Sequence, residues 1–125
     1  MKLIVAGGRD FNDYELLKEK LDYFLCVSKE IEIVSGGQKT INPDGPHYGA
    51  DYLGECYAKE KGFYLTVFPA DWKTHGKAAG MIRNKQMAEY ATHLVAFWDG
   101  ESKGTKNMID TATKMGLGVR VVRYD

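Results

Sequence analysis

Five short stretches of the chain are almost continuously apolar and rich in β-branched or aromatic residues: 2–6 (KLIVA), 31–35 (IEIVS), 63–68 (FYLTVF), 93–98 (HLVAFW) and 119–124 (VRVVRY). Apolar runs without strict alternation suit strands of a parallel sheet covered on both faces, because each side of such a strand meets other protein. Between the runs the apolar residues switch to helical spacing. In 12–28, Tyr14, Leu17, Leu21, Phe24 and Leu25 recur on one face, and Asn12 and Glu15 stand in capping-box positions at the start. Helices over 50–61 and 105–115 stop at Gly62 and Gly116, residues suited to the left-handed turn that closes a helix. A further helix is predicted over 76–90.

Strand and helix therefore alternate along the whole chain. That order predicts the α/β class, a Rossmann-like doubly wound parallel sheet of about five strands with helices on both faces. At 125 residues the chain is expected to form a single domain, 1–125. Sheets of this kind bind ligands beyond the carboxyl ends of their strands, where the strand order reverses. The loops at those ends are accordingly the first place to look for chemistry.

After the first strand comes AGGRDF, with Gly7, Gly8, Arg9 and Asp10; after the second comes SGGQKTINPDGPHYGAD, with Ser35, Gly36, Gly37, Gly49 and Asp51. After the third comes PADWKTHGKAAG, with Asp71 and Trp72; after the fourth comes WDGESKGT, with Trp98, Asp99, Gly100, Ser102, Gly104 and Thr105. Glycines after a strand are ordinary turn residues when taken singly. Together, at one edge of one sheet, they would open backbone N–H groups toward a common cleft, and a helix start adds unpaired donors and a positive dipole end.

Arg83 is an independent pointer to an anion. It shares a helical face with Ala79, Met87 and Tyr90, so a guanidinium interrupts a stripe that otherwise reads as buried. A buried arginine needs a negative partner, either a ligand or a carboxylate such as Asp51 or Asp71. Those carboxylates could instead accept ribose hydroxyls, and Trp72 or Trp98 could stack on a base or simply pack.

Composition narrows the classes. The 17 basic residues are balanced by 17 acidic ones, which disfavours a protein that coats nucleic acid or an anionic membrane. Lys73, Lys77, Arg83, Lys85, Lys103 and Lys106 could still form a local basic rim for a single strand. Cys26 and Cys56 lie in helical segments without metal-ligand spacing and are expected to be buried thiols of a reducing, cytoplasmic compartment. The first residues read as neither a signal peptide nor a membrane span. His47, His75 and His93 lack metal-site spacing, and no GxSxG, Walker or GxGxxG motif occurs. No metal or cofactor is expected beyond a nucleotide-type ligand.

The motifs AGGRDF, SGG followed by GAD, PADW, GKAAGMIRNKQM and AFWDGESKGT, in that order across nearly the whole chain, resemble the small stand-alone SLOG-superfamily proteins of bacteria and phages. The resemblance implies a Rossmann-like fold, a small nucleotide or nucleotide-derived ligand as the partner, and a possible homodimer paired through helices. A more distant similarity is to the Lonely-guy phosphoribohydrolases, which release a base from a nucleoside monophosphate. Arg83 and Met87 of IRNKQM, and Gly104 and Thr105 of GESKGTKNM, match that pattern. Two positions depart from it: Met108 replaces the family's glutamate and Asn84 its usual lysine. Glycosidic cleavage relies on a carboxylate, so binding is favoured over catalysis unless Asp51, Asp71 or Asp99 has taken over the role. A third branch of the superfamily, DNA-processing proteins that bind single strands, supplies the remaining alternative.

Overall fold

The computed structural model describes residues 1–124. The order is β1 (Lys2–Gly7), α1 (Tyr14–Leu25), β2 (Glu32–Ser35), α2 (Ala50–Lys61), β3 (Tyr64–Val67), α3 (Trp72–His75), α4 (Ala79–Tyr90), β4 (His93–Trp98), α5 (Lys103–Lys114) and β5 (Gly118–Arg123). A 3-10 turn at Gly76–Ala78 joins α3 to α4, so the segment expected to be one helix from residue 76 begins as a 3-10 turn and becomes α-helical at Ala79. The five strands form one parallel sheet in the order β3-β2-β1-β4-β5. This is the doubly wound Rossmann-like arrangement, and its strand order reverses between β1 and β4.

Two apolar layers sandwich the sheet. Leu17, Leu21 and Leu25 of α1 and Leu53, Tyr57 and Ala58 of α2 pack with Leu3, Val5 and Ile33 on one face. Met87 and Ala88 of α4 and Met108 and Ala112 of α5 pack with Ile4, Val34, Leu94 and Ala96 on the other. Fully burying one such aliphatic side chain contributes about 1.5–3 kcal/mol, so these stripes hold the helices against the sheet. In α2, Gly54 permits the closest approach, since a Cβ there would stand 2.8 Å from Val5.

Three expectations are corrected. The cap of α1 is Asp13, whose carboxylate accepts from the Leu16 N–H at 3.0 Å; Asn12 lies one residue too early to reach that donor. Cys26 is exposed and Cys56 half-buried, because Cys26 follows the last turn of α1 and lies off the buried stripe. The apolar strands are covered on both faces only at the centre of the sheet. Edge strands β3 and β5 leave Tyr64, Val67 and Val121 exposed, as their outer neighbours are water. Gly62 and Gly116 close α2 and α5 with φ of +72° and +85°, as their positions predict. No helix among the described residues is long and apolar enough to cross a membrane.

Candidate functional site

At the carboxyl ends of β1 and β4 lies a cavity of about 570 Å³. Its first wall is the β1–α1 loop. A Cβ on Gly7 would collide with the Phe97 carbonyl oxygen and stand 2.8 Å from the Ala50 Cβ, so this glycine lets β1, β4 and α2 converge. Gly8 spends its N–H on the Phe97 carbonyl at 3.1 Å. It leaves room for Tyr124, whose hydroxyl donates to Asp10 Oδ1 at 2.7 Å; burial, with that bond, pushes the phenol above its ordinary range. Arg9 is held by Gln38, its Nε donating to Oε1 at 3.2 Å, while Thr40 donates to its carbonyl. Arg9, Asp10 and Gln38 all line the cavity.

The opposite wall is α4. Arg83 is 6% exposed and lines the cavity. Its Nη1 donates to the Gly36 carbonyl at 2.6 Å and its Nε to Asn84 Oδ1 at 3.0 Å. Nη2 has no partner among the described residues, and no buried side-chain nitrogen or oxygen there is left unpartnered, so Nη2 opens to the cavity that Arg83 lines. Arg83 makes no ion pair among the described residues. Asp51 nevertheless lies close, with its Oδ2 accepting from the Gln38 N–H at 3.2 Å. Burial pushes the Asp51 carboxyl up to about 6, a rise limited by the Arg83 charge. The guanidinium thus keeps a carboxylate nearby without direct pairing.

The start of α5 forms the third wall. Ser102 caps it, its Oγ accepting from the Thr105 N–H at 3.4 Å. Asp99 Oδ1 takes the N–H groups of Glu101 and Ser102 at 2.8 and 2.9 Å, which holds its carboxyl below the usual range. These donors are therefore spent within the loop. The N–H groups of Lys103 and Gly104 have no partner among the described residues, as is usual for the first turn of a helix. A Cβ at Gly104 would meet nothing within 4 Å, so the backbone there faces open space. Asp99, Ser102, Lys103, Gly104 and Thr105 all line the cavity.

Trp72, 49% exposed, stands at the mouth beside Gly80 and the exposed Met81, and Met87 and Met108 floor the cavity. Met108 is only 1% exposed, so the position where a glycosidase glutamate is expected is an apolar floor.

Several residues that the sequence places at the cleft are directed elsewhere. Asp71 caps α3 by accepting from the Thr74 N–H at 3.2 Å and does not line the cavity. Trp98 donates from Nε1 to the Ser102 carbonyl at 3.1 Å, and its ring faces the Arg123 guanidinium, which puts it outside the lining. Gly100, at φ +89°, makes a turn whose Cα faces Arg123. Ser35 is buried, donating to Glu55 and accepting from the Gly37 N–H. Gly36 acts through its carbonyl on Arg83, Gly37 turns the chain at φ +75°, and Gly49 precedes α2 beside a smaller recess. Of the basic rim, Lys77, Arg83 and Lys103 line the cavity, whereas Lys73, Lys85 and Lys106 do not.

Gln38, Met81 and Asn107 line the cavity without having been singled out by sequence. Asn107 was legible in principle, since it follows Lys103 and Gly104 by four and three residues and shares their helix face.

A sequence model of the YspA, cpYpsA-related SLOG family matches residues 1–75. The Gene 61 protein of Mycobacterium phage D29 is 36% identical over 125 aligned positions, which cover 94% of this chain and 93% of that protein. No solved structure matches.

Proposed function

From the premise that the chain belongs to the YspA, cpYpsA-related SLOG family, we propose that it binds a nucleotide or nucleotide-derived small molecule in the cleft between β1 and β4. The observation that carries this reading is Arg83: a residue only 6% exposed, with Nη2 open to the cavity that Lys103 and Gly104, whose N–H groups are unpartnered among the described residues, also line. Burying a cation is costly unless it is paired, and a phosphate group supplies the pair. The helix start adds dipole and donors of the same sign. Asp10 or Asp51 would accept ribose hydroxyls, and Trp72 would stack on the base. Binding, rather than glycosidic cleavage, is favoured because Met108 puts an apolar side chain where a carboxylate would act.

The test is a thermal-shift panel with mononucleotides, NAD, ADP-ribose and a short single-stranded oligonucleotide. A ligand at about a hundred times its dissociation constant adds roughly 2.7 kcal/mol, which raises the midpoint by several degrees. A shift with one nucleotide class that Arg83→Ala abolishes supports the assignment. An equal shift in the Arg83→Ala variant overturns it.

A further inference from the structure

Arg83, Asn84 and Asn107 form a hydrogen-bond relay whose direction is determined by chemistry. An arginine can only donate, so Asn84 must present its carbonyl oxygen to the Arg83 Nε, at 3.0 Å. The Asn84 amide nitrogen is then left to donate, and it does so to the Gly104 carbonyl at 3.4 Å and to Asn107 Oδ1 at 3.0 Å. The Gly104 carbonyl can only accept, which fixes the same orientation independently. Asn107 has therefore used its oxygen. Its Nδ2 has no partner among the described residues and, as no buried polar side-chain atom there lacks one, it is open to solvent on a residue that lines the cavity.

We infer that Asn107 is a further oxyanion donor of the cleft, with Asn84 as the positioning residue that turns the amide nitrogen toward the ligand. The inference rests on the phosphate-binding reading above and adds to it a residue and a polarity. Asn107 lies on the α5 face that carries Lys103 and Gly104, and Asn84 ties that first turn to α4. Arg83 Nη2, the two backbone N–H groups and the Asn107 amide are all donors, which suits an acceptor-only group such as a phosphate monoester; Asp99, which also lines this wall, has its Oδ1 engaged by the Glu101 and Ser102 N–H groups. Asn84→Asp reverses the relay: its carboxylate can still accept from Arg83 but must also accept from Asn107, which then offers its carbonyl to the ligand.

The experiment follows the side-chain amide resonances of the ¹⁵N-labelled full chain while inorganic phosphate and then adenosine 5′-monophosphate are added. Affinities are measured in parallel for Asn107→Asp, which keeps the acceptor for Asn84 but removes the donor. The Asn107 amide pair is expected to shift on saturation with either probe. Asn107→Asp is expected to weaken both probes at least tenfold without lowering the melting temperature, through loss of the donor together with repulsion by the added carboxylate, and the resonance shift isolates the donor's part. Wild-type binding with an unmoved Asn107 resonance and undiminished Asn107→Asp affinity overturns the role of Asn107 and leaves the nucleotide reading intact. A wild-type chain that binds neither probe overturns the oxyanion-donor role of this end of the cavity, Asn107 included, while the thermal-shift panel above decides the nucleotide reading.

Discussion

Arg83 reaches across the cleft to Gly36, donating from Nη1 to its carbonyl at 2.6 Å, and fills the space a side chain at position 36 would occupy. A Cβ there would stand 2.6 Å from Nη1, 2.8 Å from Cζ and 2.8 Å from Asp51 Oδ2. Glycine at 36 is thus required by a close approach, and the approach is what seats the guanidinium. Gly36→Ala is expected to displace Arg83, costing about 1–3 kcal/mol as overpacking does. It should also weaken nucleotide binding at least as much as Arg83→Lys. Denaturant unfolding and a binding titration of the same preparation check both effects.

Asp51 makes the stability depend on pH. Its folded carboxyl titrates at about 6 rather than the ordinary 3.8, so the folded state keeps a proton that the unfolded chain has already released. The associated stability is present below pH 4 and is lost as pH rises to 6, on the order of 2–3 kcal/mol over that window. Other carboxylates of the chain impose slopes of their own, so the comparison is with Asp51→Asn. That variant should remove this component, seen as an altered pH slope between 4 and 6 in thermal or urea unfolding.

The same proton acts on the site. Arg83, Arg9 and Glu55 are the charged groups that face Asp51, and protonation leaves Arg83 without its compensating carboxylate. Affinity for sulfate, an anion that does not itself titrate in this range, should rise as pH falls from 8 to 5. Asp51→Asn should bind sulfate equally across the range, which calorimetry at several pH values would show.

Trp72 and Trp98 should separate cleanly. Trp72→Ala is expected to change stability by no more than about 0.5 kcal/mol, as an exposed residue, yet to abolish any preference for adenosine 5′-monophosphate over ribose 5-phosphate. Trp98→Phe loses the bond to the Ser102 carbonyl but no cavity surface, so the preference should survive. Intrinsic fluorescence of the Trp98→Phe variant reports Trp72 alone, and quenching by the nucleotide but not by the sugar phosphate is the expected signature.

Ser102 links stability to binding through the start of α5. Ser102→Ala removes the acceptor for the Thr105 N–H and should cost ~1 kcal/mol, with a fall in melting temperature of about 4 °C. Because the freed turn carries the Lys103 and Gly104 donors, affinity for inorganic phosphate should fall as well. Asp71→Asn, by contrast, keeps a capping side chain on α3 and should leave that affinity unchanged.

The sequence by itself determined the architecture, because the signals that specify it are local. Apolar runs of strand length, helical stripes such as Leu17, Leu21 and Leu25, and closing glycines such as Gly62 and Gly116 each act within a few residues. The same local logic exposed Arg83, a charge on an apolar stripe. What only the tertiary structure decided is which polar groups are spent and which remain free. Gly100 and Ser35 look available in the chain, but distant residues, Arg123 and Glu55, engage them within the fold. The groups that remain open depend on contacts between distant segments, Arg83 with Gly36 across 47 positions and Asn84 with Asn107 across 23. No periodicity encodes such pairs, since a hydrogen bond needs two atoms within about 3 Å and only the packed helices bring them there.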